Sequence, residues 1–198
     1  MAFPAFAEPW WVNSAICVPF ACYFWWRKSG LIISRRQLVF GCLFALAFGF
    51  VESAVVVYLR AATGLLPGAA GTLADVQRLA PADYVQAKSL TQFPPSLLTV
   101  EVFREAATIV MLLSAAALAA SRLREFCAFF LWEFAAWDIA YYAGLWLLVR
   151  WPASFKSLDV LFLIPEPWIA QVWFPILVSS LTLAAVAATR AKSKGLPR

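Results

Sequence analysis

The sequence predicts an all-α fold: a single integral membrane domain that crosses a bilayer with five helices. Hydrophobic residues make up 63% of the 198-residue chain and charged residues 14%. Soluble domains average about 45–50% apolar and about 25% charged residues, so the composition argues against a soluble fold. The composition also argues against disorder, which requires low hydrophobicity and high net charge. The apolar residues form continuous runs, which favours helices over the alternating strands of a membrane β-barrel.

Five apolar segments provide the predicted spans. A crossing helix needs about 20 mostly apolar residues, because the hydrocarbon layer cannot satisfy free backbone groups. The spans are predicted at residues 10–26, 38–59, 97–120, 126–149 and 160–189. The fifth is too long for one simple crossing and contains Pro165 and Pro167. We expect a half-helix or bend at 160–167 and a full crossing from 168 to about 189, with a simple proline kink as the alternative.

The basic residues predict the orientation of the spans. Cytoplasmic loops are enriched in Lys and Arg. With five spans, three basic groups fall on one side, which places the N-terminus outside and the C-terminus inside. These groups are Arg27, Lys28, Arg35 and Arg36; then Arg122 and Arg124; then Arg190, Lys192, Lys194 and Arg198. No basic residue precedes the first apolar stretch, so we expect that stretch to remain as a helix rather than to be cleaved as a signal peptide. The net charge of +5 is accounted for by these loops, and nucleic-acid binding is not expected.

The outer loop, residues 61–96, is the longest connection of the chain. Gly and Pro interrupt it, and Asp75 or Asp83 is suited to begin a short surface helix. Connections of this length are usually functional or mobile. Two interpretations stay open: a lid over an outer-facing site, or a passive helix at the membrane interface.

Ionisable side chains inside the spans are the main functional signal. Each costs at least about 2.5–3.5 kcal/mol on insertion scales, so each needs a partner or a function. Arg104 and Glu105 lie three and four residues after Glu101, so all three reach one region of a helix. From helical rise and spacing we predict one polar pocket in the outer half of the membrane. It comprises Glu52, Glu101, Arg104, Glu105, Asp138, Tyr142 and Glu166, with Arg60 on the same face as Glu52.

The excess of acids around one deep arginine suggests the chemistry of this pocket. Some of the carboxyl groups must be protonated, bind a cation or meet water, as in acid–base sites. We assign catalytic acid–base roles to Glu52, Glu105 and Asp138. Binding roles fall to Glu101, Arg104, Tyr142, Glu166 and Arg60, with Arg104 as an anion anchor. The alternative is structural: Arg104 pairs with carboxylates and holds helices together.

The residue inventory excludes several kinds of site. The chain has no histidine, which excludes Ser–His and Cys–His nucleophiles, the usual haem ligation and the ExxH di-iron motif. The four cysteines show neither CxxC nor zinc-ligand spacing and are interpreted as packing residues. We therefore expect no metal and no cofactor.

Four strings carry a resemblance over about residues 48–178: GFVESAVVVYLR, EVFREAATIVMLL, WDIAYY and DVLFLIPEPW. They resemble an uncharacterised family of small multi-pass bacterial membrane proteins. The resemblance implies the bacterial inner (cytoplasmic) membrane and implies no activity.

Three functions are compatible with these predictions. The first is a membrane-embedded enzyme or binding protein for a membrane lipid or another lipophilic or amphipathic molecule at the outer leaflet. The second is an accessory subunit of a larger membrane complex. The third is a proton- or cation-coupled transporter, for which a homo-oligomer would supply the missing internal repeat. Whether the acids share one cavity discriminates best among them.

Overall fold

A computed structural model describes residues 6–83 and 94–190 of the chain. The fold is mostly helical, which confirms the predicted all-α class. Part of the predicted outer loop, residues 84–93, and the basic residues Lys192, Lys194 and Arg198 lie outside the described residues.

The helices match the apolar segments closely. In chain order the elements are a 3₁₀ helix (Trp10–Ile16), α1 (Cys17–Trp26), α2 (Arg35–Ala62), α3 (Leu73–Asp83), α4 (Pro95–Ala119), α5 (Leu123–Val149), β1 (Leu158–Phe162), β2 (Trp168–Gln171) and α6 (Trp173–Thr189). Local signals explain two of the helix starts. Ser34 and Gln37 form a capping box at the start of α2, and Pro95 occupies the first turn of α4, where its missing N–H costs nothing. Among the described residues, α2 and α4 are the two helices long and apolar enough to cross a membrane.

The first apolar segment begins as a 3₁₀ helix and becomes α-helical only at Cys17. Asn13 accounts for part of this difference from a continuous helix. Its side chain donates to the carbonyl groups of Ala7 and Trp10 and accepts from the Ala7 N–H. Such side-chain bonds compete with the backbone bonds of an α-helix.

The start of the fifth apolar segment is a β-hairpin, so the predicted half-helix at 160–167 is wrong. Strands β1 and β2 pair antiparallel, with Val160 opposite Ile169. Pro165 and Pro167 lie in the turn between them, where neither has to donate a backbone bond. The following helix starts at Trp173 rather than at 168.

Helix α5 is the centre of the bundle and packs against α2, α3, α4 and α6. Glycine residues allow α5 to pack closely against α2. A Cβ atom on Gly49 of α2 would lie 2.5 Å from the carbonyl oxygen of Trp137 on α5. A Cβ atom on Gly144 of α5 would likewise come too close to the Ser53 side chain of α2. Small residues allow two helix backbones to approach closely.

The predicted basic groups meet at one end of the bundle. Arg124 donates a 2.7 Å hydrogen bond to the Gly30 carbonyl, and the Leu31 N–H donates to the Thr189 carbonyl at 2.9 Å. The loops before α2 and α5 and the end of α6 therefore lie together, and we call this the basic end. The hairpin, the 3₁₀ helix and α3 lie at the other end: Glu8 pairs with Ile169, and Gln77 bonds the Leu147 carbonyl.

Candidate functional site

A polar cavity of about 80 Å³ lies between α2, α4, α5 and β1, away from the basic end. Volumes of this order hold a few water molecules or one small polar group. Seven of the eight predicted site residues line it: Glu52, Arg60, Glu101, Arg104, Glu105, Asp138 and Tyr142. One acid that the prediction left out, Asp159, lines it as well. Thus three helices and the hairpin bring five carboxyl groups to one cavity.

Arg104 is the bridge between α2 and α4. Its guanidinium pairs with the buried carboxylate of Glu52 on α2 and, at 2.9–3.1 Å, with Glu101 on its own helix. Thr108, one turn further along α4, donates a 2.6 Å hydrogen bond to the second oxygen of Glu52. The ion pair holds two helices together and also forms the cavity wall, so both sequence interpretations of Arg104 fit its contacts.

Glu105 connects α4 to the hairpin. Its carboxylate accepts a 2.8 Å hydrogen bond from the backbone N–H of Leu163, the residue that follows β1. This backbone hydrogen bond orients the carboxyl group. The predicted acid–base residue Glu105 is therefore fixed at the junction of helix and hairpin.

Asp138 and Tyr142 extend from α5 towards α6 and β1. Asp138 accepts a 2.8 Å hydrogen bond from Ser179 of α6, and Tyr142 donates one of the same length to Asp159 of β1. Burial raises the pKa of Asp159 to about 7, although the Tyr142 hydroxyl and the Val160 N–H, which bond its charged form, act in the opposite direction. Two acids on different elements thus each have a hydroxyl donor.

Sequence reasoning missed Asp159 and Thr108 as site residues. Asp159 stands at the boundary of the predicted fifth span, and only the pairing of β1 with β2 brings it against Tyr142. For Thr108, the sequence did contain a signal that could have identified it as a site residue. It follows Arg104 by four residues and Glu105 by three, so helical periodicity places it on their face.

Glu166 does not line the cavity, so the prediction that it belongs to this pocket is wrong. It lies exposed in the hairpin turn and accepts a 3.1 Å hydrogen bond from the indole N–H of Trp11. The prediction assumed a helix from 160 onward, and the hairpin points residue 166 elsewhere.

The described part of the outer loop packs beside the cavity. Val76 and Ala80 of α3 and Leu66 are buried in one apolar cluster with Val56 and Tyr142, two of the cavity residues. This half of the loop contributes a fixed layer next to the site, whereas residues 84–93 lie outside the described part.

An apolar groove of about 410 Å³ adjoins the polar cavity. The two share Glu105 and Phe162, so polar and apolar binding surfaces meet at these side chains. The groove is lined by Glu105, Ala106, Ile109, Phe134, Phe162, Ile164 and Trp168. A molecule with a small polar group and an apolar chain matches this arrangement. Within residues 6–83 and 94–190, no group of three or more acids or cysteines is placed to hold a metal ion.

No protein-family model matches this chain, and neither a curated protein nor a solved structure does. The resemblance to small multi-pass bacterial membrane proteins therefore stays a prediction.

Proposed function

We propose that this chain is a multi-pass protein of the bacterial inner membrane that binds an amphipathic molecule from the outer leaflet and acts on it by acid–base chemistry. The observation that supports this most directly is the junction at Glu105 and Phe162, where a polar cavity with five carboxyl groups opens beside an apolar groove. The polar group of the ligand would occupy the cavity, and its apolar chain would occupy the groove.

Helix lengths support five crossings with the N-terminus outside. The 3₁₀ helix of seven residues and α1 of ten rise by about 14 Å and about 15 Å, which together approach the bilayer core of about 30 Å. Helix α6, with 17 residues, rises by about 25 Å. The acids of α5 lower its hydropathy, but Glu125 and Glu133 are buried against neighbouring elements, as membrane-embedded charges usually are. The shared basic end agrees with the cytoplasmic side.

The cavity favours ligand groups that donate hydrogen bonds. Its carboxyl groups are acceptors, and its most accessible cation, Arg104, is already paired with Glu52 and Glu101. We assign Glu52, Glu105 and Asp138 to proton transfer, because each lines the cavity and is held in place by a donor from another side chain or from the hairpin backbone. Arg104 and Glu101 would orient the polar group.

A second candidate, proton- or cation-coupled transport, is favoured by one observation. Glu133 and Asp138 lie five residues apart on α5, about 7.5 Å along its axis, and reach different sides of the bundle. Acids at successive depths are typical of proton relays. Proton flux into proteoliposomes that Asp138→Asn abolishes would favour this candidate over an enzyme or a binding protein.

Photolabelling tests the binding site. The purified protein in nanodiscs would be irradiated with a phosphatidylethanolamine, whose ammonium group donates hydrogen bonds, that carries a diazirine on its acyl chain, and the labelled peptides identified by mass spectrometry. We expect labelling of the groove peptides around Ile109 and Phe134, and a several-fold loss of it in Ile109→Trp, which fills the groove. Leu118→Trp, on an exposed part of the same helix, is the matched control. Equal labelling of the groove in both variants would contradict the proposal.

A further inference from the structure

A second groove lies between α2, α4 and α5 near the basic end. Its volume is about 420 Å³, within the range of about 300–1,000 Å³ that is usual for small-molecule sites. Most of its wall is apolar and aromatic, including Phe40, Phe44, Leu118 and Phe129. Phe40 and Leu118 are exposed on the flank of the bundle, so the groove opens sideways. We call it the Glu133 groove, after the acid in its wall.

Glu133 is the unusual member of this wall. The residue is 1% exposed, and its Oε2 atom is buried without a hydrogen-bond partner among the described residues. Such a carboxylate is costly unless a cation, a hydrogen-bond donor or a proton meets it. The acids of the first site differ, since each accepts a hydrogen bond from a side chain or from the backbone.

Gly41 allows Phe129 and Glu133 to pack closely against α2. A Cβ atom at position 41 would lie 2.6 Å from the Phe129 ring and 3.3 Å from Glu133 Oε1. Any side chain there would press on both residues. The glycine therefore brings the Glu133 carboxyl group directly against the backbone of α2, in the wall of the groove.

The aromatic wall indicates the charge of the occupant. Ring faces attract cations, most strongly where water is excluded. The Phe40 ring already has a cation partner, because the Arg36 guanidinium in the same wall lies 5.7 Å from its centre, which leaves Phe44 and Phe129 for an occupant. A buried carboxylate beside phenylalanine rings suits a cation with an apolar body. A small hydrated metal ion would find one acid and no second ligating acid or cysteine in this wall.

We propose that the Glu133 groove binds a lipophilic organic cation, with the Glu133 carboxylate as its counter-ion and the phenylalanine rings around its apolar body. This site is separate from the cavity at Glu52 and Arg104. It does not depend on the function proposed for that cavity.

Equilibrium binding of radiolabelled tetraphenylphosphonium to the full chain in detergent tests this inference. We expect saturable binding to the wild type, at least tenfold weaker binding to Glu133→Gln, and an intermediate affinity for Glu133→Asp. Glu166→Gln makes the same change at an exposed position away from both sites and should bind as the wild type does. Size-exclusion chromatography would check that each variant remains folded.

Phe44→Leu keeps the charge and removes one ring, so it tests the site even if Glu133→Gln proves unstable. We expect a several-fold weaker affinity for this variant. The proposal is overturned if the wild type shows no saturable binding, or if Phe44→Leu and every folded Glu133 variant bind tetraphenylphosphonium within twofold of the wild type.

Discussion

The Tyr142 hydroxyl donates a 2.8 Å hydrogen bond to Asp159, and both side chains are buried. This bond joins the central helix α5 to β1. It fixes the position of the hairpin, whose residues Val160–Leu163 complete the cavity wall. The hairpin is then bonded to α4 through Leu163 and Glu105, so the cavity has a continuous set of contacts from α5 to α4.

Tyr142→Phe should destabilise the protein. The substitution leaves the buried Asp159 carboxyl without its hydroxyl donor, which typically costs about 1–3 kcal/mol. The measurement is thermal unfolding in detergent, followed by circular dichroism. Tyr58→Phe is the control, because Tyr58 is 71% exposed and should tolerate the loss of its hydroxyl. Equal midpoints for the two variants would show that the bond contributes little.

Asp159 should make stability depend on pH. Burial raises the pKa of its carboxyl from 3.8 to about 7, so between these values the folded protein binds more protons than the unfolded chain. The contribution of Asp159 is therefore most favourable below about pH 4, and it declines as the pH rises to about 7. In Asp159→Asn this dependence disappears.

Unfolding midpoints of the wild type and Asp159→Asn between pH 4 and pH 8 test this expectation. The wild type should lose stability relative to the variant as the pH rises, and the difference should level off above about pH 7. Parallel curves across this range would show that Asp159 titrates at an ordinary pKa.

Arg104→Gln should destabilise the protein and open the cavity. It leaves Glu52 and Glu101 next to each other without their cation, and breaking such a pair costs about 3 kcal/mol when it is buried. The double variant Arg104→Gln/Glu52→Gln should recover part of this loss, because one of the two uncompensated charges is removed.

Arg78→Gln is the control for this cycle. Its side chain is 70% exposed and pairs with Asp75 on α3, where an ion pair contributes less than about 1 kcal/mol. Denaturation of the wild type, Arg104→Gln, Glu52→Gln and the double variant in one detergent gives the coupling energy. A coupling near zero would mean that Arg104 and Glu52 do not act as a pair.

Gly49→Val should disrupt the packing of α2 on α5. Even the Cβ atom would lie 2.5 Å from the Trp137 carbonyl, and backbone cannot move as a side chain does. We expect a loss of about 2 kcal/mol or more, by analogy with overpacked cores. Ala47→Val, on an exposed face of the same helix, should change stability by less than about 0.5 kcal/mol. Similar unfolding midpoints for both variants would contradict the close approach.

Helical spacing alone was sufficient to predict several of the residues that line the cavity. Glu101, Arg104 and Glu105 share one face of their helix wherever that helix lies, because separations of three and four residues correspond to about one turn. Glu52 meets them because the polar residues of the two apolar helices turn towards each other, where they form an ion pair. The prediction failed at Glu166, where the chain is not helical and the spacing rule does not apply.

The hairpin could not be read from the sequence, because its pattern allows two structures. LDVLF is a short apolar run that suits either a strand or a buried helix turn, and periodicity does not separate them. This run forms a strand because it pairs with Trp168–Gln171, a segment that begins six residues further on. Strand pairing is a contact between segments, so no single segment encodes it.

The sequence by itself determined the helical class, the apolar segments and the faces on which the acids lie. Composition and local periodicity are sufficient for these properties, since each depends on neighbours within one or two turns. Only the tertiary structure decided that Asp159 meets Tyr142, that Glu166 points away and that Glu133 is left with an unpartnered oxygen beside Gly41. Those outcomes depend on which elements pack together and how closely, and packing is a property of the whole chain.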